Sequence, residues 1–388
     1  MPCMRLKRGA RRRYAVQVDD EETQAWLALA MCSSGRPDEW LALVEACGGA
    51  REAVAATDET LAAHAASPEA VALLRAAWPS GSSRVLARCG RLGFGVAARP
   101  SPEYPEALRK IADPPLVLFW RGAAPASCTP ALAVVGARRC TDYGERTATR
   151  IGREAAEAGV VVVSGLARGI DAAAHRGALE TGRTAAVLAG GLDRVYPGEH
   201  RSLAERIVAA GGMLMSEQPP GIGPRPWLFP FRNRIITGLS AATVVVEAAA
   251  RSGSLASARH ALDQGREVLA VPGPIDSPQS EGTNRLLGQG ATPFCRTADL
   301  GAVAGLAMLL KKTTRNRLKN MTIPVDDLSP DEAAILTVVA TGPATADDIT
   351  IKTALDGTRV LALLTALELD GLVRREDHGR FRAMARGL

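Results

Sequence analysis

Two phenylalanines and two arginines stand close together in the segment FPFRNRIITGLS, residues 229–240. Phe229 and Phe231 are two of only six phenylalanines in the chain, and Arg232 and Arg234 follow them directly. An exposed aromatic ring can stack on a nucleobase while a neighbouring guanidinium holds the flanking phosphate. Proteins bind single strands in this way without reading their sequence. We therefore expect Phe229 to be exposed and the arginines to contact phosphates.

A structural interpretation of the same aromatic residues remains open. The segment follows a proline- and glycine-rich loop, residues 216–227, which we expect to be extended, stiff and at the surface. In this interpretation the aromatic residues form a hydrophobic anchor under the edge of a sheet. They are Trp227, Phe229 and Phe231.

Further residues suited to anion binding follow the predicted strands. Backbone N–H groups at a helix N-terminus attract phosphates, and glycines let a ligand approach the backbone. The candidates are Gly136, Arg138 and Arg139 after the first strand, Ser164 and Gly165 after the second, Gly253 and Ser254 after the fifth, and Thr283 and Asn284 beyond them. Each one alone also fits a tight turn or a helix cap. Together along one rim they favour several phosphates in a row.

The elements that position these residues alternate between apolar strands and amphipathic helices. Nearly continuous apolar runs, with helical stretches between them, predict a mostly parallel sheet covered on both faces. The fold class is therefore α/β, a Rossmann-like doubly wound domain. The predicted strands are residues 131–136, 160–164, 184–189, 213–217, 243–248 and 267–271.

Three domains are predicted. Residues 21–97 are Ala-rich with helical periodicity, and residues 101–310 hold the Rossmann-like domain. A basic linker, residues 311–320, leads to residues 322–388. That last segment begins with a capping box at Ser329 and ends in a strand–turn–strand pattern, which together predict a winged helix.

Composition bounds the class of protein. The chain of 388 residues is 47% hydrophobic and 23% charged, with a formal net charge of +6. No apolar run reaches the ~18 residues of a membrane span, and the basic N-terminus lacks the apolar region of a secretory signal. The seven cysteines form no C-x-x-C pair, so we expect reduced thiols in the cytoplasm and no metal site.

The usual nucleotide-binding motifs are missing. The turn after the first strand, GARRCTDYG, lacks the second and third glycines of a dinucleotide fingerprint. The second strand ends in Ser164 and Gly165 where that motif needs an acidic residue, and no phosphate-binding P-loop sequence occurs. We expect no cofactor.

Two other functions remain as alternatives. Rossmann-like nucleoside monophosphate hydrolases also use glycine-rich turns and carboxylates, and Asp171, Glu217 and Glu247 are available here. None of them is paired with a histidine at a useful spacing, and we expect His175 to face solvent or cap a helix. The second alternative is a transcription regulator that contacts duplex DNA through its winged helix, with Arg359, Arg374 and Arg375 as the contacts.

A series of motifs resembles the DNA-processing protein A family, known as DprA or Smf. The resemblance covers residues from about 101 to 300, and the motifs occur in the family's order. They are VVGARRCTDYG, SGLARGIDAAAHRGAL, LAGGLDRVYPGEH, GGMLMSEQPPG, FPFRNRIITGLS and EAAARSGSLASARHALDQGREVLAVPGPIDSPQSEGTNRLL. The N-terminal segment resembles the family's sterile-alpha-motif-like (SAM-like) domain, and the C-terminal segment resembles its winged helix.

The resemblance implies a non-enzymatic role. Members bind single-stranded DNA, form homodimers and load the RecA recombinase during natural transformation. Carried over, the binding pocket consists of Gly136, Arg138, Ser164, Gly165, Phe229, Arg232, Asn233, Arg234, Gly253 and Ser254. Several members have a basic residue three positions before the phenylalanine, where this chain has Pro226. We expect Arg225, one position earlier, to take its place.

Overall fold

The computed structural model describes most of the chain, namely residues 21–33, 37–64, 67–303, 306, 328–370, 372–376 and 379–384. These residues form two compact units, one up to residue 299 and the other from residue 306 onward. The basic N-terminal residues and the predicted linker 311–320 lie outside the described residues. No described helix is long and apolar enough to cross a membrane.

The larger unit is built around a sheet of nine described strands. Along the chain they are β1 Gly95–Ala98, β2 Val117–Gly122, β3 Ala131–Val135, β4 Val161–Ser164, β5 Thr184–Leu188, β6 Met213–Ser216, β7 Ala242–Val245, β8 Glu267–Ala270 and β9 Thr292–Pro293. Their order in the sheet is β1-β2-β6-β5-β4-β3-β7-β8-β9. The seven strands β6-β5-β4-β3-β7-β8-β9 are parallel to one another. The strands β1 and β2 form an antiparallel edge next to β6. The predicted doubly wound fold is confirmed, with β1, β2 and β9 as additional strands.

Helices cover the sheet, and a group of helices also precedes β1 along the chain. They are α1 Glu21–Cys32, α2 Pro37–Cys47, α3 Ala50–Ala55, α4 Asp58–His64, α5 Pro68–Ala77, α6 Ser80–Leu92, α7 Glu106–Arg109, α8 Asp142–Glu157, α9 Ile170–Thr181, α10 Arg201–Ala209, α11 Leu228–Gly238, α12 Ser254–Asp263 and α13 Glu281–Gly288. The strands alternate their side chains between two cores. In β5, Ala186 and Leu188 join one core, and Ala185 and Val187 join the other.

The N-terminal helices share a core with one face of the sheet. Leu27 and Leu43 belong to the same buried cluster as Phe119 of β2 and Leu214 of β6. The boundary predicted at residue 97 falls within β1, which pairs with β2 along its whole length. This region is therefore packed into the larger unit, and the three-domain division stays a prediction.

The sheet has a switch point between β3 and β7. The chain continues from β3 to its neighbour β4 on one side, and from β7 to its neighbour β8 on the other. Connections that diverge in this way leave a crevice beyond the carboxyl ends of the two strands, where doubly wound proteins bind ligands. The loops after β3 and β7 border this crevice.

The second unit has the winged-helix arrangement predicted from the sequence. Its helices are α14 Pro330–Ala340, α15 Ala346–Thr353 and α16 Gly357–Leu369, and its strands are β10 Ala344–Thr345, β11 Val373–Arg375 and β12 Arg380–Ala383. The capping box is present, because the Ser329 hydroxyl accepts from the Glu332 N–H and the Glu332 carboxylate accepts from the Ser329 N–H.

Candidate nucleic-acid interface

Phe229 lies in the first turn of α11 and contacts the loop that follows β3. The Arg138 guanidinium carbon lies 5.1 Å from the centroid of the Phe229 ring, within cation–π range. The Tyr196 ring meets the same ring edge-on, with centroids 5.7 Å apart. Phe229 is half-buried between these neighbours, and Arg138 is exposed. We call Arg138, Gly165, Tyr196, Phe229 and Arg232 the rim cluster.

Arg232 is the buried member of the rim cluster, with only 6% of its surface exposed. Its Nη1 donates to the carbonyl oxygens of Gly165, at 2.8 Å, and of Val187. A Cβ at residue 165 would lie 2.5 Å from the guanidinium nitrogens, so glycine at this position leaves room for the Arg232 guanidinium. Burial lowers the pKa of Arg232 to about 10, which still leaves it charged at neutral pH. The buried Nε of Arg232 has no hydrogen-bond partner among the described residues, and none of them accepts a hydrogen bond from Nη2.

The buried carboxylate of Asp171 is hydrogen-bonded to the loop that follows β4. The Asp171 Oδ2 accepts hydrogen bonds from the N–H groups of Gly165, at 3.1 Å, and Ala167, at 3.3 Å. Burial raises the pKa of Asp171, although the nearby Arg232 and these N–H groups act in the opposite direction. Ser164 is also buried, and its hydroxyl donates to the Val134 carbonyl at 2.6 Å. Ser164 therefore lies beside the rim cluster with its hydroxyl proton already engaged.

Arg234 differs from the sequence-based expectation. It is completely buried, its Nη2 donates to Glu217 Oε1 at 2.8 Å, and its Nε lies 2.9 Å from Asp113 Oδ2. Its guanidinium carbon also lies 4.0 Å from the centroid of the Phe231 ring. A guanidinium enclosed by two carboxylates and a ring has no donor directed at a solvent phosphate. The expected phosphate contact of Arg234 is therefore replaced by a structural ion pair.

The exposure of the aromatic residues also differs from the expectation. Trp227 is 53% exposed and is therefore the most accessible aromatic of this segment, whereas Phe229 and Phe231 are half-buried. Since α11 begins at Leu228, Trp227 precedes its first turn and stays outside the core. Arg139 and Arg225 are exposed, and Gly136 and Asn233 are partly exposed. These four residues remain accessible to a ligand.

The other predicted anion-binding residues lie on the far side of β3 in the sheet, at or near the N-termini of α12 and α13, which follow β7 and β8. Gly253 precedes α12, and the hydroxyls of Ser252 and Ser254 are 2.7 Å apart. Thr283 is buried and donates to the Ser280 carbonyl, at 3.0 Å. The Asn284 amide exchanges two hydrogen bonds with the backbone of residue 273, at 3.0 and 3.2 Å. Thr283 and Asn284 of α13 thus stabilise the loop that precedes this helix.

The three carboxylates of the hydrolase alternative all have structural partners. Asp171 holds the loop after β4, Glu217 binds Arg234, and Glu247 accepts from the backbone N–H of Thr141 at 2.9 Å and from its hydroxyl at 2.5 Å. The expectation for His175 was wrong, because it is fully buried and its Nδ1 lies 2.6 Å from the Thr184 hydroxyl. Burial lowers the pKa of His175 to about 3, so the imidazole is neutral.

Residues that the sequence analysis did not single out support the rim cluster. Tyr196 contacts Phe229. Asp193 lies three residues before Tyr196 in the same loop. The Asp193 Oδ2 accepts from Arg88 of α6 at 2.9 Å, and its Oδ1 accepts from the Gly221 N–H at 2.8 Å. The only sequence signal was that Asp193 and Tyr196 belong to the motif LAGGLDRVYPGEH. Asp193 thereby connects the N-terminal helices with the loop that leads to Phe229.

The winged-helix arginines have partners within their own unit. Arg359 Nε lies 3.2 Å from Asp331 Oδ2, and the Arg375 guanidinium carbon lies 5.7 Å from the centroid of the Phe381 ring. Arg374 is exposed. The contact of these residues with duplex DNA stays a prediction.

Comparison with known proteins gives matches over both units. The sequence profile of the DNA recombination-mediator protein A family matches residues 96–304, and that of the DprA winged helix domain matches residues 321–379. DNA processing protein DprA of Bacillus subtilis is 42% identical over 219 residues, which are 56% of this chain and 73% of that protein. A putative DNA processing protein DprA of Mycobacterium tuberculosis H37Rv is 39% identical over 315 residues, 80% of this chain and 75% of that protein.

Two solved structures resemble this chain. The X-ray structure of DNA processing protein A from Streptococcus pneumoniae has a TM-score of 0.62 and 30% identity, over 71% of this chain and 96% of that chain. A structure of the Helicobacter pylori protein, described for its unique single-stranded DNA binding mode, has a TM-score of 0.50 and 28% identity, over 56% of this chain and 96% of that chain. The family profile covers more than half of this sequence, and the relatives are matched over most of their length. This chain therefore belongs to the DNA recombination-mediator protein A family.

Proposed function

We propose that this protein binds single-stranded DNA at the rim cluster and delivers it to the RecA recombinase. The observation that carries the proposal is the placement of the exposed Arg138 against Phe229, next to the unpartnered Nη2 of Arg232. A base stacks on the open part of the Phe229 ring. Arg138 and Arg232 Nη2 then bind the adjoining phosphates.

The neighbouring exposed residues extend this path. Arg139 lies beside Arg138, and Arg225 and Asn233 flank Phe229 along the chain. Arg225 supplies the cation that several family members place at the position of Pro226. Gly136, which is partly exposed directly after β3, lies on the same path. The loops with Gly253 and Ser254 continue the rim on the other side of β3.

Membership of the DNA recombination-mediator protein A family supports the role as a mediator. The proposed assembly is a cytoplasmic homodimer that loads RecA onto incoming DNA during natural transformation. The H. pylori relative, described as binding single-stranded DNA, supports the first step of this proposal. The structural use of Asp171, Glu217 and Glu247 does not favour hydrolysis of a nucleotide.

Binding to single-stranded and duplex DNA of equal length tests the proposal. We expect tighter binding to the single strand and a log–log salt slope of about −0.7 for each phosphate neutralised. RecA assembly on fluorescent single strands should be faster with this protein than with its Phe229→Ala variant. Equal affinity for blunt duplex would contradict the assignment of the site. Unchanged RecA assembly would contradict the mediator role alone.

A further inference from the structure

The N-terminus of α8 is occupied by a carboxylate from another part of the protein. Glu247 lies two residues beyond the end of β7, is only 2% exposed and accepts from both the backbone N–H and the hydroxyl of Thr141. Thr141 is the N-cap of α8, the helix that follows the first parallel strand. In a nucleotide-binding doubly wound domain, this helix end binds the phosphate or pyrophosphate of the ligand.

The backbone of α8 is adapted to this carboxylate. A Cβ at residue 144, in the first turn of α8, would lie 2.4 Å from the carboxyl carbon and from one oxygen of Glu247. Glycine at position 144 therefore leaves room for the carboxylate beside the first turn of α8. Two hydrogen bonds and this close approach hold Glu247 in one position.

Space remains beside the carboxylate. A cavity of about 490 Å³ opens next to Glu247 and is lined by Thr141, Tyr143 and residues of the loop 272–280. Cavities of this size hold small-molecule ligands, including nucleotides. Shape alone would thus admit a nucleotide at the switch point of the sheet.

We propose that Glu247 is a specificity-determining residue, whose carboxylate takes the position of a nucleotide phosphate and so excludes free nucleotides from this crevice. A second anion at the helix N-terminus would lie within a few ångströms of the carboxylate. Two like charges at this separation repel each other, and the repulsion is stronger near a protein surface than in bulk water. The fold is thereby prevented from binding mononucleotides or dinucleotides at its switch point. The inference concerns small anions and does not depend on the proposed binding of single-stranded DNA.

Neutralising the carboxylate tests this inference. The Glu247→Gln variant keeps the side-chain volume and an oxygen acceptor for Thr141, and Glu247→Ala removes the group altogether. Glu281→Gln is the matched control, because Glu281 is an exposed carboxylate in the first turn of α13 and its replacement changes the net charge equally. Inorganic pyrophosphate and ADP are titrated into all four full-length proteins by calorimetry. Circular dichroism verifies that each one is folded.

We expect the Gln and Ala variants to bind pyrophosphate about tenfold or more tightly than the wild-type protein and Glu281→Gln. In the Gln variant, pyrophosphate should also slow alkylation of Cys140, which precedes Thr141, and leave the exposed Cys295 unaffected. The inference is overturned if the folded Gln variant gains no binding, if the wild-type protein already binds equally well, or if Glu281→Gln gains as much. If only the Ala variant fails to fold, the Gln variant decides.

These outcomes are separate from those of the proposed function. A gain of pyrophosphate binding in a protein that does not bind single-stranded DNA would support the role of Glu247 and contradict the proposed function. The reverse result would contradict only the role of Glu247.

Discussion

The guanidinium of Arg138 lies 5.1 Å from the centre of the Phe229 ring, although Arg138 follows β3 and Phe229 lies in the first turn of α11. This pair combines a flat apolar surface with a positive charge at the carboxyl ends of parallel strands. The loop from Gly190 to Pro197 completes the arrangement, since it brings Tyr196 to the edge of the same ring.

Replacing Phe229 with alanine should weaken binding of single-stranded DNA by about 1–3 kcal/mol, because a stacking surface is lost. The salt dependence should stay nearly constant, since stacking releases no counterion. Binding isotherms at several salt concentrations measure both quantities. Trp227→Ala is the matched control, as Trp227 is an exposed aromatic two residues away. A larger loss of affinity with Trp227→Ala would move the stacking position to that residue.

Replacing Arg138 with alanine should weaken binding and also reduce the magnitude of the log–log salt slope by about 0.7, because one phosphate contact is lost. Arg153→Ala is the control, since Arg153 lies in α8 far from its N-terminal end and pairs with Glu180. An unchanged salt slope in Arg138→Ala would show that Arg138 only supports the ring.

Replacing Arg234 with alanine should act on stability. The change leaves Glu217 and Asp113 without their common cation, and loss of one partner from a buried ion pair costs about 3–5 kcal/mol of unfolding free energy. Urea unfolding of the variant, beside Arg153→Ala, measures this loss. If the Arg234→Ala protein were stable and its DNA affinity depended less steeply on salt concentration, the phosphate contact predicted from the sequence would be supported instead.

Changing Asp193 to asparagine should weaken DNA binding by about 0.5–2 kcal/mol, although Asp193 is not part of the rim cluster. The carboxylate holds both Arg88 and the Gly221 N–H, so its loss allows the loop before Phe229 to shift. Glu205→Gln is the matched control, because it breaks the exposed ion pair with Arg121. Equal affinity of the Asp193→Asn and wild-type proteins would show that the N-terminal helices do not influence the site.

His175 should make the protein less stable as the pH falls below 6.5. Burial lowers the pKa of His175 to about 3 in the folded protein, from the ordinary value of 6.5. Between these two values the unfolded chain binds the additional proton, so stability decreases with falling pH by about 1.4 kcal/mol per pH unit. Urea unfolding at pH 7.5 and 5.5 should show a smaller pH effect in His175→Gln than in the wild-type protein. His260→Gln, at a half-buried position of α12, should retain the wild-type dependence.

The sequence by itself determined the central sheet and the location of the candidate site. Residues 160–163, for example, are all valine, and such a run is typical of a strand buried on both faces. Since parallel strands direct their carboxyl ends to one edge of the sheet, the loops with Arg138, Gly165 and Gly253 had to lie along one rim. The capping box at Ser329 was readable because its two hydrogen bonds join residues only three positions apart.

Only the tertiary structure decided which of these side chains line the candidate site. Arg232 and Arg234 are two positions apart in one helix, yet Arg232 reaches the rim cluster and Arg234 is enclosed by Glu217 and Asp113. The burial of His175 and the contact of Tyr196 with Phe229 depend likewise on partners distant in sequence. Local patterns determine the element in which a residue lies and the face of a strand it occupies. Whether a charged side chain is exposed to solvent or paired with a buried counter-charge depends on contacts between residues that are distant in sequence. Local sequence patterns do not reveal these contacts.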